Sequence, residues 1–186
     1  MAGTRLRIAG GTARGIPVAE PRGVRLRPTS GLVREAIFNI LGDRVTGARV
    51  LDLYAGTGAL GVEALSRGAA HATFIEAQQA CCQAILETLS RAGVASAGTV
   101  MRGRLPKALE GQEGPFDLIL MDPPYDDEDA PETLSMLASK LAEDGWIVYE
   151  HGSRYNPPER PAGLSMAERR VYGDTAVAFY RREEAA

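Results

Sequence analysis

The sequence predicts an α/β fold: a doubly wound, mostly parallel sheet of seven strands, closed by a C-terminal antiparallel hairpin and preceded by a small N-terminal β extension. Three observations carry this. From residue 48, short apolar runs alternate with stretches of helical period, as single-helix crossovers between parallel strands require. The last two strand-like runs, "GLSMAERRVYG" and "TAVAFYRR", are separated only by a turn at Gly173-Asp174, so they pair antiparallel. Before residue 28, "RLRIAGG", "ARGIPVAEP" and "GVRLRP" are broken at every run by Gly or Pro, which suits short strands and turns.

The elements follow in order. "RPTS" is a helix entry with Thr29 or Ser30 as N-cap, and Val33, Ile37, Ile40 and Leu41 form an apolar stripe behind it. "ARVLDLY" is a strand and "ALGVEALSRG" a helix ended by Gly68. The strand "HATFIE" leads into the long helix "AQQACCQAILETLSRAG", closed at Gly93. "GTVMRG" is a strand, "LPKALEG" a short helix and "FDLILMD" a strand buried on both faces. After an acidic loop come the helix "PETLSMLASKLAEDG" and the strand "WIVYEH". Residues 1–28 are expected to form a basic extension and 29–186 the sheet domain, within one structural domain.

With 186 residues, 45% of them hydrophobic, the chain fills one core and is short for two. No apolar run approaches the roughly 18 residues of a membrane helix, and "MAGTRLRIAGG" lacks a signal-peptide apolar region. A cytoplasmic monomer without membrane contact is expected. Cys81 and Cys82 are adjacent, which is poor disulfide geometry and too few ligands for zinc, so no metal is expected. Net charge is −3, but it is unevenly spread. Residues 1–34 hold seven Arg (5, 7, 14, 22, 25, 27 and 34) against Glu20 alone, whereas residues 35–150 hold 8 basic and 18 acidic groups. A basic arm on an acidic body is the asymmetry of a phosphate-binding extension, and Arg is the residue suited to phosphates and bases.

"LDLYAGTGALG" (residues 51–61) runs from a strand into a helix. Gly56, Gly58 and Gly61 satisfy G-x-G-x-x-G, and Glu76 ends the next strand 20 residues after Gly56. A dinucleotide and S-adenosylmethionine share the adenosine half and its need for a ribose-binding carboxylate. Asp52, two residues before Tyr54, favours the second, because it suits an ammonium and a sulfonium and repels a pyrophosphate.

"LILMDPPYDD" (residues 118–127) leaves a buried strand through Asp122, two prolines and an aromatic. Neither Pro123 nor Pro124 can donate a ladder hydrogen bond, so the strand stops and the backbone beyond it is stiff. The place is the carboxyl end of a strand, where open α/β sheets bind ligands. Exocyclic amines of bases are poor nucleophiles because their lone pair is delocalised into the ring. Asp122 and the Pro123 carbonyl could each accept one N–H of such an amine, and Tyr125 could stack on the base.

The tetrapeptide Asp122–Tyr125 resembles the [DNS]-P-P-[YFW] motif of methyltransferases acting on amino groups. "RIAGGTARG", "RPTSGLVREAIFNIL", "DLYAGTGALGVEALSRGA" and "RVYGDT" resemble, in order, the RsmD-like 16S rRNA guanine-N2 methyltransferases. That resemblance implies a seven-stranded methyltransferase sheet and S-adenosylmethionine as cofactor. Asp52, Tyr54, Gly56, Gly58, Glu76, Arg104, Leu105 and Thr29 would lie at the cofactor, with Glu76 at the ribose. Asp122, Pro123, Pro124 and Tyr125 would form the target-base site. Arg5, Arg7, Arg14, Arg27 and Arg34 would contact RNA, with Arg154, Arg160, Arg169 and Arg170 a second patch. The partner would be 16S rRNA or the assembling 30S subunit, and the target guanine 966 in standard 16S numbering.

Two departures stand out. Gly31-Leu32 replaces the Asp-Arg or Asp-Lys that usually follows "RPT[TS]" in the family. Arg102 and Arg104 follow the third strand where an Asp or Asn often accepts from adenine, so backbone near Arg104 and Leu105 must recognise it. His71 is expected at the surface, His151 as structural, and Asp126 to Asp129 as a solvated loop. A DNA-adenine or protein-glutamine methyltransferase, a nucleotide-dependent oxidoreductase and a non-catalytic RNA-binding assembly factor remain alternatives.

Overall fold

Ser30 opens the first helix: its Oγ accepts from the Val33 N–H at 3.1 Å, the cap satisfying a donor that the first turn leaves unpaired. The computed structural model describes residues 6–24, 26 and 30–183; Arg5, Arg27 and Thr29, expected at RNA or cofactor, lie outside the described residues. Helix α1 (Gly31–Leu41) buries Val33, Ile37, Phe38 and Leu41, with Ile40 only partly covered.

The alternation beyond it is β1 (Arg49–Leu53), α2 (Ala59–Ser66), β2 (His71–Glu76), α3 (Gln79–Arg91), β3 (Gly98–Arg102), α4 (Lys107–Glu110) and β4 (Phe116–Met121). Then come α5 (Ala130–Met136), β5 (Leu141–Gly152), β6 (Leu164–Tyr172) and β7 (Thr175–Arg182). They build one seven-stranded sheet in the order β3-β2-β1-β4-β5-β7-β6. The first five strands are parallel, and β7 runs antiparallel between β5 and β6. The predicted fold class is thus the one observed. Strand order reverses between β1 and β4, which opens a crevice at their carboxyl ends.

Alternate residues face opposite layers. Val50, Phe74, Leu120 and Val148 meet α1, α2 and α3, while Leu51, Ile75, Met121 and Tyr149 meet α4 and α5. Asp52, Glu76, Asp122 and Glu150 therefore project towards the first layer, one from each of four adjacent strands.

Two expectations need correction. The helix expected through "PETLSMLASKLAEDG" ends at Met136, passes through a 3₁₀ turn at Leu137–Ser139 and gives way to β5 at Leu141. Phe116 N–H donates to Lys140 O at 2.8 Å and Phe116 pairs with Leu141, so sheet pairing overrides helical propensity there. In the N-terminal segment, the described residues form no run of strand but one antiparallel bridge, Arg7 with Pro17. Its flanking bonds are Ile8 N–H to Ile16 O (3.0 Å) and Val18 N–H to Leu6 O (2.9 Å).

Side chains of α2 and α3 hold that segment in place. Glu63 accepts from the Ala9 and Gly10 N–H groups, both at 2.8 Å; Ser66 Oγ accepts from Ala13 N–H, and Thr88 Oγ1 from Ala19 N–H. Arg34 belongs to this anchor. It is 1% exposed, its Nε sits 3.3 Å from Glu63 Oε2, and its Nη2 donates to the Arg7 carbonyl. Burial lowers the guanidinium from its ordinary pKa, and Glu63 acts against that. The expected RNA contact by Arg34 is therefore not what the structure shows, whereas Arg7 and Arg14 are exposed. Glu63 needs a buried cation, and helical spacing puts Arg34 on the inner face of α1.

Candidate active site at the strand tips

A cleft of about 870 Å³ opens at the carboxyl ends of β1, β2, β4 and β5, large enough for a nucleoside-sized cofactor and a base. It brings together Asp52, Tyr54, Gly56, Glu76, Arg104, Leu105 and the whole of Asp122–Tyr125. Asp52 and Asp122, far apart in sequence, meet because β1 and β4 are neighbours, with Leu53 beside Met121.

The β1–α2 turn sets the cofactor side. Tyr54 leaves β1 with φ +56°, a left-handed conformation unusual for a bulky residue, and its hydroxyl pairs with Thr133 Oγ1 at 3.0 Å. Burial pushes the Tyr54 hydroxyl pKa well up. Gly56, at φ +54°, donates its N–H to Glu76 Oε2 at 2.8 Å, and Gln78 N–H donates to Oε1 at 2.7 Å. Both oxygens of Glu76 are thus fixed at the tip of β2, each keeping a lone pair for a hydroxyl donor.

Gly58 and Gly61 are both held in tight packing. A Cβ on Gly58, at φ +74°, would lie 2.8 Å from Ile85 Cγ1. One on Gly61 would lie 2.3 Å from Phe74 Cε1 and 2.8 Å from Asp52 Oδ2. Gly58, expected at the cofactor, is buried in the turn behind Gly56, where it permits a close approach of α2 to α3. Gly61→Ala is expected to cost roughly 1–3 kcal/mol by overpacking, read as a fall of several degrees in Tm by calorimetry. An unchanged Tm would remove Gly61 from this role.

Asp52 is 1% exposed and accepts the Gly61 N–H on Oδ2 at 2.9 Å. Burial raises its pKa well above the usual carboxylate range, and Asp122 and Glu76 add to the rise. Asp52, expected beside the cofactor, lines the cleft as a buried group that ties β1 to α2.

The target side is built around the two prolines. Asp122 N–H points to Leu53 O at 3.5 Å, and Asp127 N–H closes the turn on Pro124 O at 3.0 Å. Pro123 is buried, while Tyr125 is 45% exposed. Its hydroxyl pairs with Thr175 Oγ1 at 2.8 Å, and its ring lies along Gly152, where a Cβ would come within 3.2 Å of Cδ2. The ring is anchored at its far end.

Sequence reasoning missed Glu150, Thr175 and Gly152 as parts of this site. Glu150 could have been found by the strand-tip rule that singled out Asp122, and Thr175 by its place in "RVYGDT"; Gly152 carries no local signal. Of the residues set aside, His151 is 2% exposed with Nδ1 2.9 Å from Gly152 O, and His71, partly exposed, pairs with Thr99 Oγ1. Cys81 and Cys82 are buried free thiols, and burial pushes Cys81 up to about 11.

The family model described as Conserved hypothetical protein 95 matches residues 6–181. The chain is 36% identical over 182 residues to the ribosomal RNA small subunit methyltransferase D of Escherichia coli K12, covering 96% of this chain and 91% of that one. Among solved structures, yhhF of E. coli superposes with a TM-score of 0.85 at 35% identity, over 97% of this chain and 99% of that one. A hypothetical protein of Thermus thermophilus gives 0.77 at 31% identity, over 95% and 99%. With fold, strand-tip cleft and near-complete coverage in agreement, the chain belongs to the Conserved hypothetical protein 95 family of RsmD-like methyltransferases.

Proposed function

We propose that the protein transfers a methyl group from S-adenosylmethionine to the exocyclic N2 of one guanine in 16S rRNA, the guanine numbered 966 in the standard scheme. The carrying observation is the rigid Asp122–Tyr125 turn facing the Glu76–Gly56 loop within one cleft. The cleft fits S-adenosylmethionine. Glu76 would take the ribose hydroxyls, Gly56 and Tyr54 would border the cofactor, and Arg104 and Leu105 would border its adenine. When bound, the cofactor supplies an electrophilic methyl group on sulfur. The chain's own residues do the rest: Asp122 and the Pro123 carbonyl orient the amine, and Tyr125 holds the base plane.

Arg7 and Arg14 are exposed on the segment that Glu63 pins down, so they are placed to meet phosphates. Neutralising both together with Arg5 is expected to weaken RNA binding and flatten its salt dependence by about one unit of slope per lost phosphate contact. A filter-binding titration with an unchanged slope would remove the arm from this reading.

The deciding test is transfer from labelled S-adenosylmethionine to small ribosomal subunits lacking the modification, with nuclease digestion and mass spectrometry of the product. N2-methylguanosine supports the reading. Label on DNA or on a protein glutamine would move the substrate to the other amino-group methyltransferases. Cofactor binding without transfer to any of them would favour a non-catalytic assembly factor.

A further inference from the structure

Guanine differs from adenine and cytosine along one edge. Its N1–H and N2 amine are adjacent donors, whereas adenine N1 and cytosine N3 are acceptors. A site that orients the N2 amine through Asp122 leaves the neighbouring N1–H to be met by something else.

We infer that Glu150 meets it: the Glu150 carboxylate accepts the target guanine's N1–H beside Asp122, making the pair a guanine-selecting subsite. The inference rests on the guanine-N2 reading above. Three observations carry it. Met121 pairs with Tyr149 in the parallel β4–β5 register, so Asp122 and Glu150 are the next residues on neighbouring strands, about 4.8 Å apart in backbone. Leu120 and Val148 share one core layer, so by the alternation of side chains Asp122 and Glu150 point to the same face. Glu150 is only 5% exposed, yet it lines the cleft with Asp122, Pro123, Tyr125 and Thr175.

The chemistry follows from that placement. An ionised carboxylate only accepts, so an N–H edge satisfies it and an acceptor edge sets lone pair against lone pair. Burial sharpens the contrast, because water cannot replace the lost bond. Tyr125, anchored by Thr175 and Gly152, fixes the plane in which both donors of the base are presented. Glu76, Asp122 and Glu150 then stand level at the tips of β2, β4 and β5, spanning about 14 Å, with Asp52 two residues back on β1 between the first two.

The test uses 16S rRNA carrying guanine or 2-aminopurine at the target position, free and reconstituted into small subunits. 2-Aminopurine keeps the 2-amino group and lacks N1–H. Single-turnover transfer from labelled S-adenosylmethionine is measured for the wild type, Glu150→Gln and Glu150→Ala, with cofactor affinity by calorimetry in the same preparations. The wild type is expected to prefer guanine by at least ~100-fold. Glu150→Ala is expected to lose ~10- to 100-fold on guanine, to hold or gain on 2-aminopurine as the lone-pair repulsion is relieved, and to bind the cofactor normally. Glu150→Gln, whose amide oxygen still accepts the guanine N1–H while its NH₂ can donate to N1 of 2-aminopurine, is expected to keep most of the guanine rate and to lose part of the preference. An unchanged guanine preference in Glu150→Ala overturns the inference alone, as does a loss confined to cofactor affinity. A wild type that methylates neither base overturns the underlying reading as well.

Discussion

Asp122→Ala is expected to lower the single-turnover rate of methyl transfer by roughly 10²–10⁴-fold while leaving the affinity for S-adenosylmethionine within about threefold of wild type. The size of the effect follows from the nucleophile. An exocyclic amine conjugated to its ring offers no free lone pair until its two N–H bonds are drawn out of the ring plane. Two acceptors at fixed positions do that, and the prolines supply the fixity. With Asp122 removed, the Pro123 carbonyl holds one N–H and the amine rotates back into conjugation. The backbone bond from Asp122 N–H to Leu53 O survives the substitution, so the strand tip itself is retained. Asp122→Asn keeps one acceptor oxygen and is expected to fall between the two. The split matters for interpretation: kcat falls because the lost interaction is made as the reaction proceeds, and cofactor affinity holds because Glu76 and the glycine loop lie on β2 and after β1. Wild-type rates in Asp122→Ala would end the proposed role of the turn.

Glu63→Ala should be the most destabilising single substitution among those considered, at roughly 3–5 kcal/mol. Glu63 is fully buried and serves four partners at once: Arg34, Arg67 and the N–H groups of Ala9 and Gly10. Truncation leaves the Arg34 guanidinium buried without its counter-charge and two backbone donors without acceptors. At about 2–4 °C per kcal/mol for a chain of this length, Tm should fall by roughly 6–20 °C. Replacing the pair together, Arg34→Met with Glu63→Leu, is expected to cost less than Glu63→Ala alone, because no charge remains buried. Hydrogen exchange should show the 6–18 segment losing protection first in Glu63→Ala, since its attachment runs through that carboxylate. A Tm shift below about 2 °C would show that the buried pair contributes little.

The two results would separate the chemistry of the site from its scaffolding. Asp122 is predicted to matter for rate and hardly for stability. Glu63 is predicted to matter for stability, and for RNA binding through the position of Arg7 and Arg14. Combining Glu63→Ala with salt titrations of RNA affinity would show whether an undocked arm still finds phosphates.

Much of the fold was legible because its signals are local. Apolar runs bounded by Gly and Pro marked β1 to β7, and the short turn at Gly173-Asp174 marked the closing hairpin. The glycine loop and the Asp-Pro-Pro-Tyr turn could be placed at strand ends, since Pro and Gly constrain backbone within a residue or two. The end of α5 was misread because Leu141 fits a helix as well as a strand, and only its pairing with Phe116 decides. Among the described residues, "RLRIAGG" pairs through the bridge of Arg7 with Pro17, a partner that no local pattern names.

The sequence by itself determined the order of strands and helices, the strand-tip position of Asp122 and the concentration of arginine near the N-terminus. Only the tertiary structure decided which arginines face solvent, that Gly58 and Gly61 serve packing, and that Glu150 and Thr175 join Asp122 and Tyr125. The physical reason is the same in each case. Composition records a charge or a glycine but not what lies opposite it. Arg34 meets Glu63 across α1 and α2, and Tyr125 meets Thr175 over 50 residues, through strand order and register that no local pattern specifies.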